Sequence, residues 1–355
     1  MARPFVSVLI DTYNHERFIE QAIVSVLEQD FPASEREIIV VDDGSADGTA
    51  EVIRQFQPKV RALRKENGGQ ASAFNAGIPE CRGEIVAFLD GDDWWAPGKL
   101  QAVSRALAED AALGLVGHGI TEIYSDGRQH TELLREIPRV RINSEAGARA
   151  FRLRKSFLGT SRMTIRAGVL RQIGSVPEAL RIEADEYLFT LGAAISDVLI
   201  LREPLTFYRL HETNAFQISD GNRELLGRKH KVLAALAESL QAKLSEQQIP
   251  EEISRIVVES VQTEAELIRL TIENGWPWET VRTELRNYRI MQEGASMARW
   301  LLKCFALLPA CTLPSRRYYS LRQRFAENAV YRRAREKWLP IVQPAHVDRY
   351  RTTRL

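Results

Sequence analysis

The segment FLDGDDWW, residues 88–95, limits the possible folds more than any other stretch of this chain. It closes the apolar run IVAFL, which reads as a buried strand because β-branched and large apolar residues pack on a sheet. The run ends abruptly in Asp90, Asp92 and Asp93. Three carboxylates beside a buried strand are costly unless something positive lies among them. The D-x-D spacing of Asp90 and Asp92 suits one divalent cation, since Mg²⁺ and Mn²⁺ prefer oxygen ligands. Such a cation can hold a diphosphate, which points to chemistry on a phosphorylated donor.

The preceding residues repeat this strand-then-acid pattern. VSVLI (6–10) runs into Asp11, and EIIVVDD (37–43) ends in Asp42 and Asp43. Helical spacing over 18–29, Asp47 before TAEVIRQF, and the small-residue segment QASAFNAGI (70–78) alternate with strands at 59–66 and 84–90. Alternation of this kind predicts an α/β fold: a mostly parallel, Rossmann-like sheet with flanking helices. Ligands of such sheets bind outside the carboxyl ends of the strands, so the acids of strands one, two and four should converge on one crevice. Pro97 should open the next helix. Further on, 113–124 reads as strand with a turn at Asp126-Gly127. Residues 144–154, 165–173 and 181–195 read as helices, and 197–212 returns to strand and loop. After about 218 the chain is helical, over 221–245, 250–273, 277–293 and 315–336. We expect two domains, 1–217 catalytic and 218–355 helical.

Each motif also has a plainer explanation. Asp-Gly pairs form turns, and acids in the first turn of a helix favour its dipole. KENGGQASAFNAGI (65–78) matches neither G-x-G-x-x-G nor G-x-x-x-x-G-K-[ST], so a dinucleotide cofactor or P-loop is unsupported. RIEADEYL (181–188) offers Glu183, Asp185 and Glu186 as candidates for a general base. YRLHETN (208–214) offers Arg209 and His211 just after a strand, where an imidazole could complete a metal site or a cation could meet a diphosphate.

Taken in order, VSVLIDTYNHERFIEQAIVSVLEQ, VVDDGSADGT, RKENGGQASAFNAGI, FLDGDDWWAPGKL, EADEYL and YRLHETN resemble the family 2 inverting glycosyltransferases of the GT-A fold, over roughly residues 4–215. The resemblance implies transfer of a sugar from a nucleotide-sugar, usually a UDP-sugar, to a hydroxyl of a sugar, lipid-linked or protein acceptor, with Mn²⁺ or Mg²⁺ as cofactor. It places Asp11, Tyr13, Asp42, Asp43, Asn67, Gly69, Gln70, Asp90 and Arg209 at the nucleotide-sugar. Asp92, with Asp90 and His211, falls at the metal, and Asp185 at the catalytic base. Two positions depart from the family's pattern. Asp11 stands where Pro or Thr is usual, and Ala184 precedes Asp185 where a Glu is usual, which leaves Glu183 as a rival base. A sugar nucleotidyltransferase and a degenerate sugar-nucleotide binding module are the alternatives.

Composition adds a charge asymmetry. From residue 295 onward thirteen Lys/Arg stand against three acids, +10, in a chain whose net charge is +1. The tail therefore suits an anionic partner. The stretch 297–324, apolar with flanking Arg, Trp and Tyr, suits an interfacial helix on an anionic membrane. The other helices suit packing on the catalytic domain or pairing with a second copy. No nucleic-acid motif is present. Three scattered cysteines and no run of 18 apolar residues predict a reduced, cytoplasmic chain, peripheral on a membrane at most.

Overall fold

The computed structural model describes residues 4–131, 139–153, 159–211, 223–292 and 296–327. The chain divides into two compact units, Met1–Ile142 with Arg154–Gln217 and Ala242–Ile249, and Asn143–Leu153 with Ile218–Gln241 and Pro250–Leu355.

The first unit is built on one sheet. Its strands are β1 (Val6–Thr12), β2 (Arg36–Asp42), β3 (Arg61–Arg64), β4 (Ile85–Asp90), β5 (Trp94–Trp95), β6 (Leu113–Ile123), β7 (Gln129–Thr131), β8 (Arg139–Val140), β9 (Thr164–Arg166) and β10 (Asp197–Arg209). They run in the order β3-β2-β1-β4-β9-β6-β10-β5, with β7 on β6 and β8 on β10. The long pairings, β1 with β2 and β4, β2 with β3, and β6 with β10, are parallel. The short ones are antiparallel, so the sheet is mixed.

Strands β1 and β4 are mostly apolar up to their terminal acids and buried, because both faces are covered. On one face Val6, Val8 and Ile10 meet Ile19, Ile23 and Val26 of helix α1 (Ile19–Leu27) in a core that also holds Ile53. That isoleucine belongs to α2 (Thr49–Arg54), whose N-cap is Gly48 and not the expected Asp47; the Asp47 carboxylate instead accepts from the Thr49 amide and hydroxyl. The other face carries α3 (Gln70–Gly77), whose Phe74 meets Phe88 edge-on at 5.2 Å. Its small residues let it lie close to the sheet: a Cβ on Gly77 would sit 2.4 Å from Leu9 Cδ1 and 2.9 Å from Val41 Cγ2. Helix α4 (Lys99–Glu109) adds Leu100, Val103 and Leu107 to the first core.

Three further local expectations need correcting. Residues 165 and 166, read as the start of a helix, belong instead to β9, because the β-branched Thr164 and Ile165 pair with both β4 and β6. Helix α6 (Ala167–Ile173) begins only after them, and α7 (Ala184–Ile195) begins at 184, with Glu183 in a left-handed turn (φ 64°) before it. Pro97 does not open α4, which starts at Lys99 after Gly98 turns left-handed. Pro204 lies inside β10 but at an irregularity of its ladder with β6, where a missing N–H is tolerated.

The second unit is helical: α5 (Glu145–Leu153), the first part of α8 (Arg223–Glu246), α9 (Glu251–Glu273), α10 (Pro277–Met291), α11 (Met297–Ala306), α12 (Leu308–Thr312) and α13 (Ser315–Glu327). The apolar stripe of α9, including Ile253, Val257, Val261 and Ile268, is buried. The expected helix over 315–336 is present to Glu327, and the remainder lies outside the described residues. Among the described residues no helix is long and apolar enough to cross a membrane.

The close approach of α3 gives a test. Gly77→Val should lower the urea midpoint of unfolding by an amount equivalent to about 1–3 kcal/mol, the usual cost of overpacking. An unchanged midpoint would show that α3 can shift away without loss.

Candidate active site

Parallel register brings the acids together. Asp11 at the end of β1 pairs with Asp90 at the end of β4, and Thr12 pairs with Asp42 at the end of β2. Asp90, Asp92 and Asp93 offer oxygens within 4.8 Å of one another. These three acids differ in environment. Asp90 and Asp92 are partly exposed, whereas Asp93 is buried. Asp93 accepts from Ser161 Oγ at 2.6 Å and from the Arg209 amide at 2.9 Å, so both its oxygens hold the scaffold. Asp92 Oδ2 lies 2.9 Å from His211 Nε2 and 3.8 Å from His15 Nε2.

The electrostatics follow from desolvation and crowding. Burial raises Asp11 to about 8, and the Asp92 charge adds to the effect. Burial, then Asp11, Asp92 and Asp93, raises Asp90 well above the carboxylate range. Burial and then Asp92 raise Asp93. Burial acts on Asp92 in the same direction, but the His211 hydrogen bond and the two imidazoles outweigh it and hold this carboxyl below its ordinary value. Burial in turn lowers His15. Asp11 Oδ1 is buried with no hydrogen-bond partner. An oxygen-rich cluster with an orphaned carboxylate atom and adjoining imidazoles fits a hard divalent cation, which would relieve the mutual repulsion.

A single short turn joins this cluster to the candidate base. Ser161 Oγ accepts from the Asp90 amide at 3.1 Å and bonds Asp93. Its neighbour Thr160 donates to Asp185 Oδ2 from its amide at 3.1 Å and from Oγ1 at 3.3 Å. The Ser161 carbonyl accepts from Trp95 Nε1, Lys99 Nζ and Thr206 Oγ1, which fixes the turn. Asp185 is buried in the first turn of α7, and burial raises it to about 6. Glu183, the rival, precedes the helix and is also buried.

The residues expected at the nucleotide separate into two groups. Asp43 accepts from Lys65 Nζ (2.8 Å), Asn67 Nδ2 (3.1 Å) and the amides of Gly68 (3.0 Å) and Gly69 (2.7 Å). Asn67 Oδ1 in turn accepts from Arg181. Asp43, Asn67 and Gly69 therefore form a closed network that shapes the 65–69 loop, and a nucleobase contact to Asp43 would compete with it. Gly69 takes a positive φ of 84°, and a Cβ there would lie 2.7 Å from Arg181 Cα. Gln70 bridges Thr160 Oγ1 and the Ala184 amide, tying α3 to α7. Tyr13, by contrast, is exposed. The segment bearing it is latched to the 45–49 loop by Asn14, His15 and Glu16. Asp42 accepts from the Ser45 amide through Oδ1, and its Oδ2 lies 3.5 Å from Arg64 Nε. Arg209 donates to the Asp92 carbonyl and Gln21 and lies between the rings of Phe18 and Trp94 (4.7 and 4.5 Å), which aligns it as a wall.

Sequence reasoning missed His15, and it set FLGTSRM (157–163) near the base for acceptor choice without giving Thr160 or Ser161 a contact with the carboxylates. His15 was visible in TYNHE beside the acid of β1, but its approach to Asp92 depends on the turn after the strand. Ser161 and Thr160 lie about seventy residues from Asp90, and no local pattern links them.

The fold, a mixed sheet with a carboxylate cluster at its parallel strand ends, is GT-A. Staphylococcus aureus TarS residues 1–349, crystallised with UDP-GlcNAc, superpose with a TM-score of 0.51 at 18% identity over 81% of this chain and 90% of that one, a likeness of fold. In sequence, an uncharacterized glycosyltransferase of Nostoc sp. is 34% identical over 59% of this chain and 66% of its own length. The uncharacterized glycosyltransferase EpsJ of Bacillus subtilis is 36% identical over 40% of this chain and 41% of its own. The chain thus spans less than two thirds of these curated relatives. Residues 7–174 match the model for glycosyl transferase family 2, which assigns that segment of the first unit to the family.

The raised Asp11 makes a prediction about stability. A carboxyl at about 8 in the folded chain and near 3.8 when unfolded contributes stability that is fully present below about 4 and lost as pH rises toward 8. In chelator, Asp11→Asn should therefore reduce the fall in melting temperature between pH 5 and pH 8 (roughly the window set by that linkage). An identical fall in both proteins would show that Asp11 titrates normally.

Proposed function

We propose that the first unit is an inverting glycosyltransferase that moves a sugar from a nucleotide-sugar, most simply a UDP-sugar, to a hydroxyl acceptor in glycoconjugate or polysaccharide synthesis. The observation that carries this reading is the convergence of Asp11, Asp90 and Asp92 with a separately held, buried Asp185.

In this reading Tyr13 offers its exposed ring to the base, and Asp42 and the Asp43-held loop shape the walls around the nucleoside. Asp90 serves the ribose side. Asp92 and Asp90, with His211 and the neighbouring His15, would hold Mn²⁺ or Mg²⁺. Bound there, such an ion supplies Lewis-acid stabilisation of the leaving nucleoside diphosphate. Asp185 takes the proton of the acceptor hydroxyl as its oxygen attacks the anomeric carbon from the face opposite the leaving group. Thr160 fixes one oxygen of Asp185 and the Glu186 amide fixes the other at 2.8 Å, so the carboxylate is aimed before the acceptor arrives. A base raised toward neutrality is better matched to proton transfer at physiological pH than an ordinary aspartate.

Three outcomes test the assignments with a panel of UDP-, GDP- and dTDP-sugars. Asp185→Asn should lower transfer ~10²–10⁴-fold while UDP affinity stays within about twofold. In the wild type, kcat/KM should rise about tenfold per pH unit below pH 6 and level off above it, because the base must be ionised. Retained transfer in the variant would move the base to Glu183. Asp92→Ala, or chelation, should lower donor turnover ~100-fold or more, and normal turnover after either treatment would remove the cation from the account.

A further inference from the structure

Among the described residues, the second unit leaves an apolar surface exposed. Nine large hydrophobic side chains are exposed among the described residues, and seven of them fall between positions 276 and 308. Five belong to α11 and the start of α12: Met297, Leu301, Leu302, Phe305 and Leu308, each more than half exposed. Met297, Leu301 and Phe305 recur every four residues and so share one helix face. The opposite face of α11 is engaged with α10. The Trp300 ring lies 5.5 Å from that of Tyr288, and Lys303 Nζ reaches Glu284 at 2.8 Å. Trp276 and Trp278, 72% and 58% exposed, stand at the start of α10. A contiguous apolar helix face of this kind marks an interaction surface.

The charges around it select the partner. Between Glu293 and Glu327 the sequence contains no acid, but it contains Arg299, Lys303, Arg316 and Arg317. Arg299, Arg316 and Arg317 are exposed. Ser315 donates to the Gly275 carbonyl and bonds Thr280 Oγ1, which places the Arg316-Arg317 pair at the end of α10 that bears the two tryptophans. Beside the first turn of α11 lies a cavity of about 640 Å³ with Arg149, Arg255 and Arg289 among its walls, together with Tyr288, Met297 and Trp300. The cavity's two acids are already matched, Glu145 by Arg149 and Glu259 by Arg286. Among the described residues neither Arg255 nor Arg289 has a carboxylate partner, and Arg289 lies over the Trp300 ring at 5.5 Å. Guanidinium groups in such a setting bind phosphate well.

We infer that this surface docks on an anionic bilayer: the apolar face of α11 enters the headgroup boundary, and the arginine-walled cavity beside it receives a lipid phosphate. Short amphipathic helices with tryptophan and arginine at their margins lie in the interface plane and do not cross it. The sequence suggested a membrane partner for the basic tail. The structure adds Trp276, Trp278 and the cavity formed by α5, α9, α10 and α11, none of which lies in that tail except the start of α11. The inference is independent of the reading of the carboxylate crevice.

Flotation of the full chain tests it, with vesicles of phosphatidylcholine alone and of phosphatidylcholine mixed with phosphatidylglycerol. The wild type should float with the anionic vesicles only. Arg255→Glu/Arg289→Glu should lose about tenfold or more of the bound fraction, since each basic residue near the surface contributes appreciably. Arg255→Lys/Arg289→Lys should retain most of it. Leu301→Ser/Phe305→Ser should also release the protein, while far-UV circular dichroism and the thermal unfolding midpoint report that each variant is folded. Equal binding to neutral vesicles, or full binding by the charge-reversed protein, would overturn the cavity's role. Absence of vesicle binding by the wild type, with or without a concentration-dependent dimer in sedimentation, would overturn the docking surface itself.

Discussion

Parallel pairing of β1 with β4 forces two carboxylates into adjacent register, and much of the first unit is arranged around that fact. Asp11 and Asp90 leave the sheet together, and Asp92 follows within a few ångströms. Low-dielectric surroundings make their mutual repulsion strong. The chain answers it in two ways. Asp93 turns inward and is satisfied by Ser161 and the backbone of Arg209. Asp92 is met by His211 and, at longer range, by His15. Asp11 and Asp90 are left raised and incompletely matched, and this residual imbalance is what a divalent cation and a diphosphate would complete.

The turn at 160–161 makes the site a unit instead of two acidic patches. Thr160 fixes Asp185, while Ser161 fixes Asp90 and Asp93. Trp95, Lys99 and Thr206 hold the turn from behind through one carbonyl. Lys99 is fully buried against the Trp95 ring, and burial lowers its basicity although Asp93 favours its charge. A displacement in this packing would move the carboxylate cluster and Asp185 together. In the proposed mechanism, the geometry of proton transfer relative to the leaving group would then depend on residues that need not touch substrate.

Much of this was legible in the sequence where the signal is local. Apolar runs ending in acids predicted β1, β2 and β4 and the crevice at their ends, because strand burial and its termination are both written within a few residues. The departures have physical causes. Thr164–Arg166 is too short for periodicity to distinguish strand from helix, and its pairing with β4 and β6 is nonlocal. The network around Asp43 was not legible either: its oxygens meet a loop that begins twenty-two residues later, partly through backbone amides that carry no side-chain signature. Asp93 had no role until Ser161 was seen beside it. His15 came to light only through the turn that follows β1.

The central claim is that the ends of β1 and β4 hold a divalent cation for a nucleoside diphosphate. Anomalous diffraction from crystals grown with UDP and Mn²⁺ tests it most directly. The account predicts a manganese peak within ligand distance, about 2.0–2.4 Å, of an Asp92 carboxylate oxygen, with the diphosphate on its open side. Bound UDP with no manganese peak, or a peak away from Asp90 and Asp92, would contradict it.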